Sequence, residues 1–187
     1  MYFISRTEDI LSPYLAENPP AENKILPTKS AFTKLSPSCW PECIKKGLPV
    51  IEGDAEKELI QFPKKSFDYV VLSQTLQAFL NPEEVLNQLL RIGKQTIVSI
   101  PNFGYWKIRL HLLFKGTMPI TKNLPDEWYN TPNLHMCSIQ DFVNFCRNKN
   151  IKIDKSICLT NEKISEITNS NMSYKNIFSQ LGVFLIQ

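Results

Sequence analysis

From residue 43 onward the apolar positions fall into short blocks whose period changes along the chain. Phe67–Ser73 is an apolar, β-branched run of strand length. Between Pro82 and Gly93 the apolar residues recur at helical spacing, with proline suited to the first turn and glycine suited to the stop. Thr96–Ile100 is a second apolar run, ended by Pro101. The order strand, helix, strand predicts a βαβ crossover and hence a parallel pair. Polar residues then collect at the carboxyl ends of the strands, where open α/β sheets form their ligand crevices: Ser73 and Gln74 after the first, Asn102 beside Pro101 after the second.

The flanking pattern extends this core in both directions. Pro49–Ile51 predicts a short strand closed by a Gly53–Asp54 turn, with Ile44–Gly47 ending a helix before it. The segment 103–135 mixes Phe103, Tyr105, Trp106, Phe114, Trp128 and Tyr129 with Pro119, Pro125 and Pro132, and only 106–114 has helical spacing. A connection of this length usually serves as a lid or a binding loop. Ser138-Ile-Gln-Asp141 predicts a helix start of capping-box type, with Asp in the place of Glu or Gln, and Phe142, Val143, Phe145 and Cys146 supply its buried side. Ile151–Leu159 alternates as a strand, and Leu181–Ile186 predicts a last strand reached through a polar segment, 160–179. Residues 1–40 hold Pro13, Pro19, Pro20, Pro27 and Pro37 without a sustained period, so they read as an irregular segment ahead of an α/β domain over 41–187.

Composition narrows the class. At 187 residues with 43% hydrophobic content the chain can bury one full core. A net charge of +3, with its basic residues scattered, gives no footprint for nucleic acid. No apolar run reaches the roughly 18 to 20 residues of a membrane span, and 1–10 lacks a signal-type apolar stretch, so a cytoplasmic location is expected. The five cysteines are odd in number and dispersed, which suits reduced thiols. Cys39 and Cys43 have no second close pair to complete a tetrahedral site, so no metal is expected.

Three stretches, Phe67–Gln77, Ile97–Gly104 and Asp126–Cys137 leading into Asp141-Phe142, resemble in order the MetW-type methionine-biosynthesis proteins, which share the fold of S-adenosylmethionine-dependent methyltransferases. The resemblance implies a Rossmann-like, methyltransferase-type sheet, mostly parallel, ending in an antiparallel hairpin. It also implies a glycine-rich loop and an acidic strand end for S-adenosylmethionine in the N-terminal part. Here the first glycine is Gly47, so that βαβ part reads as truncated or degenerate, with Lys24–Leu26 the remnant of a first strand.

The candidate residues follow. For a cofactor they are Asp54, which aligns with the acid facing the adenine amino group but also suits an ordinary turn, and Ser73 and Gln74 at the strand end. For a partner or substrate loop they are Asn102, Trp106, Trp128, Tyr129 and His135. Asn102 stands before Gly104 as a turn former or an acceptor for an amine, the aromatics either present a partner surface or cover the sheet, and His135 has no nameable partner for base catalysis. No catalytic residue is assigned. By resemblance, the expected function is support or activation of a homoserine O-acyltransferase, the expected partner, without methyltransferase activity of the chain's own. The alternatives are an S-adenosylmethionine-dependent small-molecule methyltransferase, and a decayed or frameshifted copy without activity.

Overall fold

The structure is a computed structural model that describes residues 32–33, 50–51, 55–121, 126–131, 134–161 and 163–187. Asp54, Cys39, Cys43, the 24–26 run and the helix end at 44–47 lie outside the described residues. Strands β1 (Phe32–Thr33) and β2 (Val50–Ile51) pair in parallel as a two-stranded sheet. The short strand expected at 49–51 is therefore present, and its partner falls inside the segment expected to be irregular.

A short helix α1 (Ala55–Glu58) and a 3-10 turn (Leu59–Gln61) lead to β3 (Phe67–Ser73). After a second 3-10 turn (Leu76–Ala78) come α2 (Pro82–Ile92) and β4 (Gly93–Pro101). Pro82 stands at the start of α2, Glu83 and Glu84 fill its first turn and Arg91 its last, which matches charge to the helix dipole. β3 and β4 pair in parallel, so the predicted crossover forms. Arg91 also holds the turn ahead of β3, donating to the carbonyls of Phe62 at 2.7 Å and Leu59 at 2.9 Å.

Helix α3 (Trp106–Lys115) ends at Gly116, whose φ of 65° is the left-handed cap that glycine takes without strain. Helix α4 (Ile139–Asn148) starts with the predicted capping box: Ser138 Oγ accepts from the Asp141 amide, and the Asp141 carboxylate accepts from the Ser138 amide at 2.9 Å. Then follow β5 (Ile153–Thr160), β6 (Lys163–Glu166), α5 (Met172–Phe178) and β7 (Leu181–Ile186). The polar segment 160–179 thus holds a strand and a helix that its residue pattern did not announce.

The larger sheet has the order β3-β4-β7-β5-β6. It is mixed: β3–β4 is its parallel pair, while β7 runs antiparallel to both β4 and β5, and β5–β6 is an antiparallel hairpin. Against the expected mostly parallel sheet, one described pairing of this sheet is parallel and three are antiparallel, and the two last predicted strands, β5 and β7, pair antiparallel as expected. The last predicted strand inserts between β4 and β5, and the hairpin partner of β5 is β6.

Alternation along the strands sorts the side chains to two faces. Val98, Ile100, Phe184 and Ile186 meet Val85, Leu86, Leu89 and Ile92 of α2 and Ile139, Phe142, Val143 and Cys146 of α4 in the main core. Ile97, Leu181, Val183 and Leu185 cluster on the other face. Cys146 is fully buried, and loss of hydration pushes its thiol up to about 12.

Candidate functional site

The carboxyl ends of β3 and β4 are assembled from main-chain turns. Gln74 has a φ of 50°, a conformation that costs a non-glycine residue roughly 1–2 kcal/mol. It turns the chain off the sheet while its amide donates to the Ser99 carbonyl at 2.9 Å and to Ser99 Oγ at 3.1 Å. Ser99 Oγ lies 3.4 Å from Ser73 Oγ, so Ser73, Gln74 and Ser99 form one buried to half-buried polar group across the two strands.

Gln77, one turn on, is 1% exposed. Its carbonyl accepts from the amides of Leu134 at 2.8 Å and His135 at 3.0 Å, and its Nε2 donates to Cys137 Sγ at 3.4 Å. Burial, first of all, raises the Cys137 thiol to about 11; the Gln77 hydrogen bond opposes the rise and nearby Asp141 adds to it. Thr75 Oγ1 and Gln77 Oε1 are buried in the same turn with no hydrogen-bond partner. Phe103 donates to the Cys137 carbonyl at 3.1 Å, so the long connection leaves the sheet and returns to it at one point.

Asn102 is buried at the end of β4 with its whole amide engaged. Nδ2 donates to the carbonyls of Ser179 at 2.7 Å and Asn176 at 2.8 Å, while Oδ1 accepts from the amides of Gly104 at 2.9 Å and Ile139 at 3.2 Å. These bonds use both amide protons and both lone pairs, joining β4 to α4, α5 and the start of β7. A Cβ on Gly104 would lie 2.9 Å from Asn102 Oδ1 and 3.0 Å from both Asn176 Oδ1 and Ser138 Cβ. Only glycine fits there without movement.

The remaining candidates lie outward on the long connection. Trp106 opens α3 edge-on to the buried Tyr105, with ring centroids 6.0 Å apart. Trp128 and Tyr129 are 73% and 69% exposed and form a T-shaped pair at 5.6 Å. His135 is exposed and is fixed through its amide. The fold therefore groups Ser73 and Gln74 with Ser99, places Asn102 in a framework role, and presents the loop aromatics to solvent. Ser99, Thr75, Cys137, Asn176 and Ser179 were not singled out in the sequence. Their roles arise from contacts between distant segments, and residue type alone gives no signal for them.

The family model for "Methionine biosynthesis protein MetW" matches residues 28–186. The chain belongs to the MetW family. The bifunctional methionine biosynthesis protein MetXA/MetW of Rhodopirellula baltica is 38% identical over 113 residues, which are 60% of this chain and 18% of that protein. The MetW-family chain thus spans under a fifth of this relative. Among solved structures it is similar to an S-adenosylmethionine-dependent methyltransferase of Thermotoga maritima, described as a possible histamine N-methyltransferase, with a TM-score of 0.59, 17% identity, and coverage of 84% of this chain and 72% of that one. A methyltransferase of Archaeoglobus fulgidus matches with a TM-score of 0.52, 17% identity, and coverage of 84% and 75%. These likenesses establish the Rossmann-like methyltransferase fold.

The described ends of β3 and β4 carry no carboxylate to hold the hydroxyls of S-adenosylmethionine. Their side chains, Ser73, Gln74, Thr75, Ser99 and Asn102, are neutral, and the Asn102 amide is saturated by the protein. The first glycine of the sequence is Gly47. Among the described residues, no group of three or more His, Cys, Asp or Glu is placed to hold a metal ion, and no helix is long and apolar enough to cross a membrane.

Proposed function

We propose that this MetW-family chain supports or activates a homoserine O-acyltransferase of methionine biosynthesis, acting by binding. The observation that carries the reading is the long connection 103–135. It is tied at its base by the Phe103–Cys137 and Gln77–His135 main-chain bonds, yet presents Trp128 and Tyr129 to solvent. Large exposed aromatics are suited to anchoring a partner, which covers their apolar faces on docking. The MetXA/MetW relative supports the same direction, since it joins a MetW-like part and a MetX part in one polypeptide. No residue of this chain need contact the reacting ester; the bound loop favours the active arrangement of the acyltransferase. Coexpression with and without the chain tests this, and equal acyltransferase activity in the two extracts overturns it.

A methyltransferase reading has one observation in its favour, the unpartnered Thr75 Oγ1 and Gln77 Oε1 beneath the strand ends. A buried hydroxyl and a buried amide oxygen invite a hydrogen-bond partner from a ligand or a water. Calorimetry with S-adenosylmethionine separates the readings: a Kd tighter than about 100 μM, roughly −5.5 kcal/mol, requires a formed pocket and supports the methyltransferase.

A further inference from the structure

Helix α3 buries little of its surface. Ile108 is its one buried residue, packed with Tyr105 and Phe103. Trp106, Leu110, Leu113 and Phe114 recur at i, i+4, i+7 and i+8, which places them along one stripe of the helix, away from Ile108. All four are exposed, Leu113 and Phe114 by 74% and 78%. An apolar stripe on the outer face of a helix is an unusual use of surface unless something covers it.

The charges on the helix say what kind of surface that is. Residues 106–115 contain Lys107, Arg109, His111 and Lys115 and no acidic residue. No carboxylate among the described residues pairs with Lys107, Arg109 or Lys115; Lys107 Nζ sits 5.7 Å from the Trp106 ring centre, and Arg109 Nε donates to the Gly104 carbonyl at 2.6 Å. Lys107 and Arg109 therefore flank the stripe with positive charge that no carboxylate among the described residues compensates. That combination calls for an apolar groove with a carboxylate rim.

We propose that α3 is the element that enters the acyltransferase, its Trp106–Leu110–Leu113–Phe114 stripe lying in an apolar groove of that enzyme rimmed by Asp or Glu. The proposal rests on the binding role argued above, and the MetXA/MetW relative is the reason for choosing this occupant over a second copy of the chain or a lipid surface. Leu113 and Phe114 act as the anchors, and Lys107 and Arg109 meet the rim.

The test is calorimetry between the purified full chain and the purified acyltransferase at two salt concentrations. It compares the wild type with Leu113→Ser/Phe114→Ser and with Lys107→Glu. All the substituted side chains are solvent-facing, so an unchanged thermal midpoint verifies the fold of each variant. The expected result is a loss of at least about 30-fold in affinity for the first variant, together with a loss and a flattened salt dependence for the second. Absence of wild-type binding overturns the functional reading and this proposal together. Wild-type binding that both α3 variants retain overturns the assignment of α3 alone. A wild-type dimer, or wild-type binding to anionic phosphatidylserine vesicles, that Leu113→Ser/Phe114→Ser abolishes while acyltransferase binding survives overturns it in favour of those occupants.

Discussion

Asn102 Nδ2 donates to the Ser179 carbonyl at 2.7 Å across 77 residues of chain, and the Oδ1 of the same amide accepts from the first amide of α4. A single side chain thus closes the end of β4 onto the two later helices and the start of β7. Asn102→Ala leaves buried donors and acceptors without partners, so a loss of about 2–4 kcal/mol in urea unfolding is expected. Asn102→Asp is expected to be no better, because the carboxylate cannot donate to the two carbonyls. A loss below about 0.5 kcal/mol for both variants would show that the network does not hold these elements together.

Gly104 and Gly116 separate two reasons for glycine. Gly104→Ala drives a Cβ into Asn102 Oδ1 and Ser138, so about 1–3 kcal/mol of overpacking is expected. At Gly116 a Cβ meets nothing within 4 Å, and the cost comes only from the positive φ, about 1 kcal/mol. Denaturant midpoints of the two variants decide the order, which is reversed if the contacts around Gly104 relax freely.

The buried thiols set an alkaline limit. Folding raises the Cys137 thiol from 9.0 to about 11 and the Cys146 thiol from 9.0 to about 12, chiefly by desolvation. Below pH 9 both states hold these protons and the thiols leave stability independent of pH. Above it the unfolded chain loses them first, so stability falls from about pH 9 through the folded values near 11 and 12. The expected outcome is a fall in urea midpoint between pH 8.5 and 11 that is shallower in Cys137→Ser/Cys146→Ala. Parallel curves for wild type and variant would contradict it.

The parts of the fold legible in the sequence are those whose signals are local. The β3–α2–β4 unit shows its periods and its Pro82 and Gly93 punctuation, α4 shows Ser138 and Asp141, and β7 is one apolar run. Strand β6 was not legible because Lys-Ile-Ser-Glu offers a single apolar residue; its pairing is imposed by β5, through partners such as Leu159 and Ile164. Helix α5 has no buried residue, and its position is fixed by the Asn102 amide and by Asn176 Oδ1, which accepts from the Gln140 amide at 3.2 Å. Asn102 itself illustrates the limit for the candidate site. An Asn before Phe-Gly reads equally as a turn or a ligand contact, and only the approach of α4, α5 and β7 shows where its four hydrogen bonds go.

Strain at Gln74 offers a further check on the strand-end turn. Gln74→Gly removes the cost of its φ of 50° and keeps the main-chain donation to Ser99. A gain of up to about 1 kcal/mol is expected, offset in part by the greater freedom of glycine in the unfolded chain. A loss of stability in urea unfolding would mean that the Gln74 side chain contributes more than its backbone costs.

The binding role is tested most directly by the initial rate of acyl transfer to homoserine, followed while the purified chain is titrated into a fixed amount of the acyltransferase. A rate that rises and saturates at a defined molar ratio is the expected result. A rate that stays flat to a large excess of the chain, with the acyltransferase active and the chain folded, would contradict it.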